Sequence, residues 1–217
     1  MIHKQSINYL ILTILILLFT GCGSTYATKG STFPKMYAQK PKSLLILPPI
    51  NESKNHEAVN YYVSTIEVPF TLMGYYVFPS EIVSDIIEKE NLYNIPVNKY
   101  YKYFGADAVL ITKIKKWDVS YAVIASTLTV SVECKIISTK TSDELWKYTG
   151  TIVVDLSGGN TGNGLGELTA KILITAISTA TSNYIQYAKI INNNIVYTLP
   201  KGPYNKYYMK DQSVKIY

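Results

Sequence analysis

Between Ser126 and Ile136 every second residue is apolar: Leu128, Val130, Val132, Cys134 and Ile136 alternate with Thr127, Thr129, Ser131, Glu133 and Lys135. Successive side chains of an extended chain point to opposite faces, so this period predicts a long strand with one buried face and places Cys134 inward. Its neighbours extend the pattern. Ala106 to Trp117 reads as a strand, Asp118 to Tyr121 as a turn into the Cys134 strand, and Thr139 to Asp143 as a second turn into Leu145–Leu156, where Trp146, Tyr148, Ile152 and Val154 share a face. Strands in succession joined by short turns make an antiparallel three-strand meander.

The chain before the meander alternates strand and helix. Ser43 to Pro48 is a short continuous apolar run, expected as a buried strand, and Asn51 to Asn55 is a polar loop. Val59, Tyr62, Val63, Ile66, Phe70 and Met73 follow with helical spacing, Pro69 marking a kink or restart and Gly74 the end. Tyr75 to Phe78 is the second strand. Ser80 is the expected N-cap of a helix carrying Ile82, Val83, Ile86 and Ile87. A short helix from Asn98 to Phe104 should stop at Gly105. Beyond the meander, Leu165, Leu168, Ile172, Ala176, Ala180 and Tyr184 mark a long amphipathic helix, and Asn192–Tyr217 should be an irregular, Tyr-rich tail. The expected fold is α/β: a mixed sheet with a β-α-β-α start, the meander, and a long C-terminal helix packed on the sheet.

The N-terminus decides where such a domain works. Lys4 precedes an apolar run from Tyr9 to Phe19 that ends in Thr20-Gly21-Cys22, the pattern of a secretion signal closed by small residues. The Cys at its edge resembles a bacterial lipobox. Residues 1–21 are therefore expected as a lipoprotein signal peptide, Cys22 as the lipidated residue, 22–41 as a tether that Tyr26, Phe33, Met36 and Tyr37 could lay in part on the domain surface, 42–191 as the α/β domain and 192–217 as the tail. Gly23 follows the Cys where resemblance to sorted lipoproteins associates Asp with inner-membrane retention, so outer-membrane placement facing the periplasm is expected if the cell has an outer membrane. A multiply acylated Cys would hold the membrane stably.

Composition narrows the chemistry. The formal net charge is +6, yet all 21 basic residues are Lys. Arg supplies the planar fork for bidentate base and phosphate contacts, so its absence argues against a dedicated nucleic-acid binder. Of the two cysteines, lipidation of Cys22 leaves Cys134 without a disulfide partner, and a thiol facing a core is inert. His56 is the only His after the signal, so no His- or Cys-rich zinc site can be assembled, and no EF-hand spacing occurs. The segment Gly158–Gly166 has the right context for phosphate at a helix N-terminus, but Gly164 is followed by Leu165 where a P-loop needs Lys, and Gly162, Gly164 and Gly166 are too evenly spaced for a dinucleotide fingerprint. Glu67 and Asp107 are the carboxylates that only an accident of folding could pair; they read as a helix-surface residue and a strand-entry residue. No catalytic, cofactor-binding or metal-binding residue is expected.

Leu45-Ile-Leu-Pro-Pro-Ile-Asn51, Gly74-Tyr-Tyr-Val-Phe-Pro79, Phe104-Gly-Ala-Asp-Ala-Val109, Ile114-Lys-Lys-Trp117 and Gly202-Pro-Tyr204 together resemble the bacterial lipoproteins grouped as domain-of-unknown-function family 799. The resemblance spans nearly all of the mature chain. It implies a fold similar to the amino-terminal domain of TolB and an envelope lipoprotein often encoded beside a lipoprotein similar to the curli secretion channel; it carries no catalytic residues. The expected function is thus a noncatalytic envelope component, with the membrane and envelope proteins, among them a secretion-channel-like lipoprotein, as partners. Tyr61, Tyr62, Tyr100, Tyr101, Tyr103, Tyr207 and Tyr208 offer contact area of the kind found at interfaces. The alternative is a small-ligand-binding or hydrolytic domain using the Gly158–Gly166 loop.

Overall fold

A computed structural model describes residues 26–121, 126–155, 172–175 and 184–216. The signal segment, Cys22 and the Gly158–Gly166 loop lie outside them. The meander is the spine of the molecule. Its strands are β4 (Ala108–Tyr121), β5 (Ser126–Ser138) and β6 (Glu144–Asp155), paired antiparallel along most of their length. β1 (Ser43–Ile46) and the two-residue β2 (Ile50–Asn51) pair parallel with β4, β3 (Tyr76–Val77) pairs parallel with β1, and β7 (Ile172–Thr175) pairs parallel with β6. The main path runs β3-β1-β4-β5-β6-β7.

The alternation in β5 does what its period requires. Leu128, Val130, Val132, Cys134 and Ile136 are all fully buried. In β4 the period breaks: Ile114 and Trp117, an odd number of residues apart, are both buried. A bulge between Ile114 and Lys116 inserts one residue into β4 and returns Trp117 to the inner face. The same strand runs on to Tyr121, pairing Asp118 with Thr129 and Tyr121 with Ser126, so the expected turn at Asp118–Tyr121 is strand.

Helices cover both faces at the β1–β4 side. On one face α3 (Ala58–Leu72) and α6 (Tyr184–Ile195) press Tyr62, Ile66, Phe70, Tyr187 and Ile191 onto the inner residues of β4, β5 and β6. Pro69 does not restart α3; it sits in the last turn, and its carbonyl accepts from the Met73 N–H. On the other face α4 (Ser80–Lys89) and α5 (Tyr100–Phe104) bury Val83, Ile87 and Tyr100 against Leu45 and Val109. Ser80 is not a cap: Pro79 holds that position, and the Ser80 N–H is donated to the Glu67 carboxylate on α3. Gly105 ends α5 at φ 66°, as expected of a left-handed C-cap.

Three further expectations are revised. Ile172, assigned to the long helix, lies in β7, and the described helix begins at Tyr184. An apolar run as short as Ile172-Leu-Ile suits a helix face or a buried strand, and the free edge of β6 beside it selects the strand. Asn192, taken as the start of the tail, is fully buried inside α6, its side-chain amide donating to the Tyr62 carbonyl and Thr65 Oγ1. Within the segment read as a tether, α1 (Lys29–Thr32) and α2 (Pro34–Gln39) are folded, with Phe33, Met36 and Tyr37 buried. Phe33 packs 6.4 Å from the Trp146 ring, so apolar burial holds this segment to β6.

Candidate functional site

The residues singled out for chemistry are committed elsewhere. Cys134 is buried beside the Tyr62 hydroxyl at 3.5 Å and Thr112 Oγ1 at 3.6 Å. Burial pushes its thiol up to about 11, outweighing those two hydrogen bonds, so no thiolate nucleophile forms at neutral pH. Asp107 accepts from the Lys42 N–H at 2.9 Å, the Ser43 N–H at 3.3 Å and Lys140 Nζ at 2.7 Å. Partial burial works against its charge, but Lys140 and the two backbone donors together hold the carboxyl below its usual range. It joins the start of β1 to the β5–β6 turn. Glu67 stands at the N-terminus of α4, where a carboxylate meets unpaired N–H groups and the positive end of the helix dipole. Glu52 pairs with Lys113 and Lys115 on the exposed side of the sheet, and His56 is exposed. Among the described residues no group of three or more His, Cys, Asp or Glu side chains is placed to hold a metal ion.

The seven tyrosines divide. Tyr62 and Tyr100 are core, Tyr61 is half-buried against Trp117 and Tyr184, Tyr208 is half-buried in the tail, and Tyr101, Tyr103 and Tyr207 are about half exposed. Further exposed apolar area comes from Val68, Leu72, Tyr76 and Tyr204. These belong together locally: Asn205 Nδ2 donates to the Leu72 carbonyl and the Tyr204 N–H to the Gly74 carbonyl, so the tail is laced to the end of α3 beside the sheet-edge strand β3.

Sequence reasoning missed a buried ionic staple between the two ends of the domain. Lys29 on α1 donates to the Leu199 carbonyl at 2.7 Å and lies 3.6 Å from Asp211. Asp211 also accepts from the Tyr37 hydroxyl at 3.0 Å and the Lys201 N–H at 2.9 Å. Burial lowers the Lys29 ammonium and Asp211 only partly restores it, whereas burial first and Asp211 second push the Tyr37 hydroxyl well up. No spacing signal links positions so far apart in the chain. A cleft of about 360 Å³ opens nearby, lined by Thr32, Phe33, Glu144, Leu145, Trp146, Lys147 and Thr149. Its wall is the part of β6 before Thr151, where pairing with β7 begins. The lining mixes one aromatic shelf with a single carboxylate and a single ammonium, which suits contact with a chain or surface better than acid–base chemistry.

Residues 32–203 match the family described as "Putative lipoprotein GNA1162-like". The chain belongs to this family. The match bears out the resemblance to bacterial lipoproteins seen in the sequence motifs. A curated relative, "Putative lipoprotein NMB1124/NMB1162" of Neisseria meningitidis serogroup B, is 28% identical over 163 residues, covering 72% of this chain and 75% of the relative. The crystal structure of lipoprotein GNA1162 from Neisseria meningitidis shares 27% identity at a TM-score of 0.53, covering 56% of this chain and 89% of the other. Family membership indicates a lipid-anchored protein of the cell envelope. No described helix of this member of the GNA1162-like family is long and apolar enough to cross a membrane.

Proposed function

We propose that this GNA1162-like protein is a noncatalytic component of the bacterial cell envelope, anchored through lipid on Cys22 at the outer membrane, where it faces the periplasm and acts by assembly with other envelope proteins. The observation that carries the proposal is the match over residues 32–203 to a lipoprotein family, downstream of a Cys-terminated signal pattern. The commitment of Asp107, Glu67 and Cys134 to turn-locking, capping and core packing supports it, because these are the two carboxylates and the thiol that the sequence singled out for nucleophilic or acid–base work. Exposed Tyr101, Tyr103, Tyr204 and Tyr207 supply amphipathic area for protein contacts.

The test has two parts. Wild-type protein should incorporate labelled fatty acid and partition into detergent, and Cys22→Ser should abolish both; normal labelling of the variant would remove the anchor. Crosslinking in intact cells should then recover a defined envelope complex. Cutting the tail at Asn192 is unsuited to locating the contact, since Asn192 is a buried core residue; Tyr101→Ser, Tyr103→Ser and Tyr207→Ser remove exposed area without opening the core. A protein that runs alone under every condition, with saturable binding of a nucleotide or sugar lost on Gly162→Val, would replace this reading with the ligand-binding alternative.

A further inference from the structure

The fold begins too close to Cys22 for the domain to swing free of a membrane. Thr28 forms a β-bridge with Lys215, the Lys29 and Gly30 N–H groups donate to the Val214 and Gln212 carbonyls at 2.9 Å, and the Ile216 N–H to the Ala27 carbonyl at 2.9 Å. Ordered backbone bonding thus starts by Ala27. Cys22 and Tyr26 are separated by four residue steps, and a fully extended chain of that length spans at most about 14 Å. Whatever lipid Cys22 carries, the Tyr26 side of the domain is held within about that distance of it.

The face so held has the chemistry of a headgroup contact. Residues 23–42 contain no acidic residue; of their lysines, Lys29 is buried against Asp211 and Lys35 pairs with Asp143, which leaves Lys40 and Lys42 as the exposed charges. The strap running past them, 201–216, carries Lys201, Lys206, Lys210 and Lys215 with one acid, Asp211. Asp211 is buried against Lys29, so it does not cancel the outward charge of Lys210 and Lys215. Tyr26 is 58% exposed and Val214 44%, and Lys215 Nζ lies 3.9 Å from the centre of the Tyr26 ring. An exposed aromatic, an aliphatic side chain and cations side by side match a surface that is apolar below and anionic above.

We propose that the face formed by residues 26–30 and 210–216 lies flat on the phospholipid surface, with Tyr26 and Val214 at the interface and Lys210 and Lys215 at anionic headgroups. The proposal rests on lipidation at Cys22. Docking of this face fixes which way the rest of the domain points, leaving the α4 side of the sheet directed away from the lipid. A basic patch beside an acyl anchor adds a second, salt-sensitive membrane signal.

The test uses the full lipidated protein on vesicles of phosphatidylethanolamine and phosphatidylglycerol carrying a headgroup quencher. An environment-sensitive fluorophore is placed at Val214→Cys or, separately, at Ile82→Cys on α4, an exposed site on the opposite face of the sheet; buried Cys134 does not label. The probe at 214 should be quenched several-fold more than the probe at 82, and Lys210→Glu with Lys215→Glu should bring it down toward the level at 82 while fatty-acid incorporation is unchanged. Loss of each lysine's attraction to an anionic surface weakens docking by about fivefold, and reversal of its charge by more. If Val214→Cys does not fold, exposed Ser213→Cys takes its place. Fatty-acid uptake with equal quenching at the two sites overturns docking and leaves the anchor standing. Absence of uptake overturns the anchor itself. Protection of position 214 in detergent at doubled mass means a second copy covers the face, and likewise overturns the proposal.

Discussion

At the scale of residues, carboxylates decide where chain segments meet. Asp107 takes hydrogen bonds from Lys42 and Ser43 at the start of β1 and from Lys140 in the β5–β6 turn, so it ties together the two neighbours of β4. Its folded pKa lies below the ordinary carboxylate value, so the unfolded chain binds its proton more readily and the interaction stabilises the fold above the unfolded pKa. That stability is lost as pH falls through the depressed folded value. Asp107→Asn should therefore lower the melting temperature at neutral pH, with the difference from wild type shrinking below about pH 4 and vanishing below the folded pKa. Thermal unfolding followed across pH checks this; a constant difference down to strong acid would mean that packing and not charge is lost. Cys134 shows how far a residue can be read without the fold. Alternation placed it inward, and it is buried, but its two polar neighbours, Tyr62 and Thr112, come from another helix and another strand.

At the scale of elements, the junction of α3 with the tail depends on a residue without a side chain. Gly74 ends α3 at φ 92°, and a Cβ there would meet the Asn205 backbone nitrogen at 2.5 Å. A Cβ on Gly202 would likewise meet the Gly74 carbonyl oxygen, at a shorter distance still. The backbone conformation and the space both require glycine at 74. Gly74→Ala should cost about 1–3 kcal/mol, more than the gain from a stiffer unfolded chain. Denaturant unfolding measures the loss, and a neutral result would show that the tail can lift off α3 without penalty. The end of α3 was legible as a glycine after an apolar period; the partner that makes glycine obligatory, more than a hundred residues downstream, was not. The bulge in β4 is similar: the alternation visibly slips between Ile114 and Trp117, yet only pairing with β5 shows that the extra residue sits between Ile114 and Lys116.

At the scale of the whole molecule, the two ends of the domain are fastened to each other. Lys29 and Asp211 have side chains 5% and 7% exposed, and the Tyr37 hydroxyl and Lys201 N–H complete the carboxylate's shell. Removing one member of a buried ion pair strands the other charge away from water. Asp211→Ala should destabilise the fold by about 3–5 kcal/mol, and Lys29→Met in the same chain should recover part of that loss, because the double variant leaves no buried charge unpaired. Equilibrium unfolding of the single and double variants gives the coupling; additive losses would mean that the staple is not a pair. The consequence reaches function, since the same contacts hold residues 26–30 against 210–216 and set the face nearest Cys22.

The local periods sufficed for the α/β class, the meander, the inward face of β5 and the helical stripe of α3, because these follow from geometry repeated every two or 3.6 residues, and the missing Cβ of glycine sufficed for the stop at Gly105. The Cys-terminated signal pattern pointed to a lipoprotein, which membership of the GNA1162-like family supports. Only the tertiary structure decided whether Ile172-Leu-Ile is strand or helix, which element caps α4, how deeply residues 29–39 are buried and which lysine is paired with Asp211. Each of those depends on a neighbour distant in sequence, and a short segment gains its free energy from whatever edge or pocket the rest of the chain presents to it.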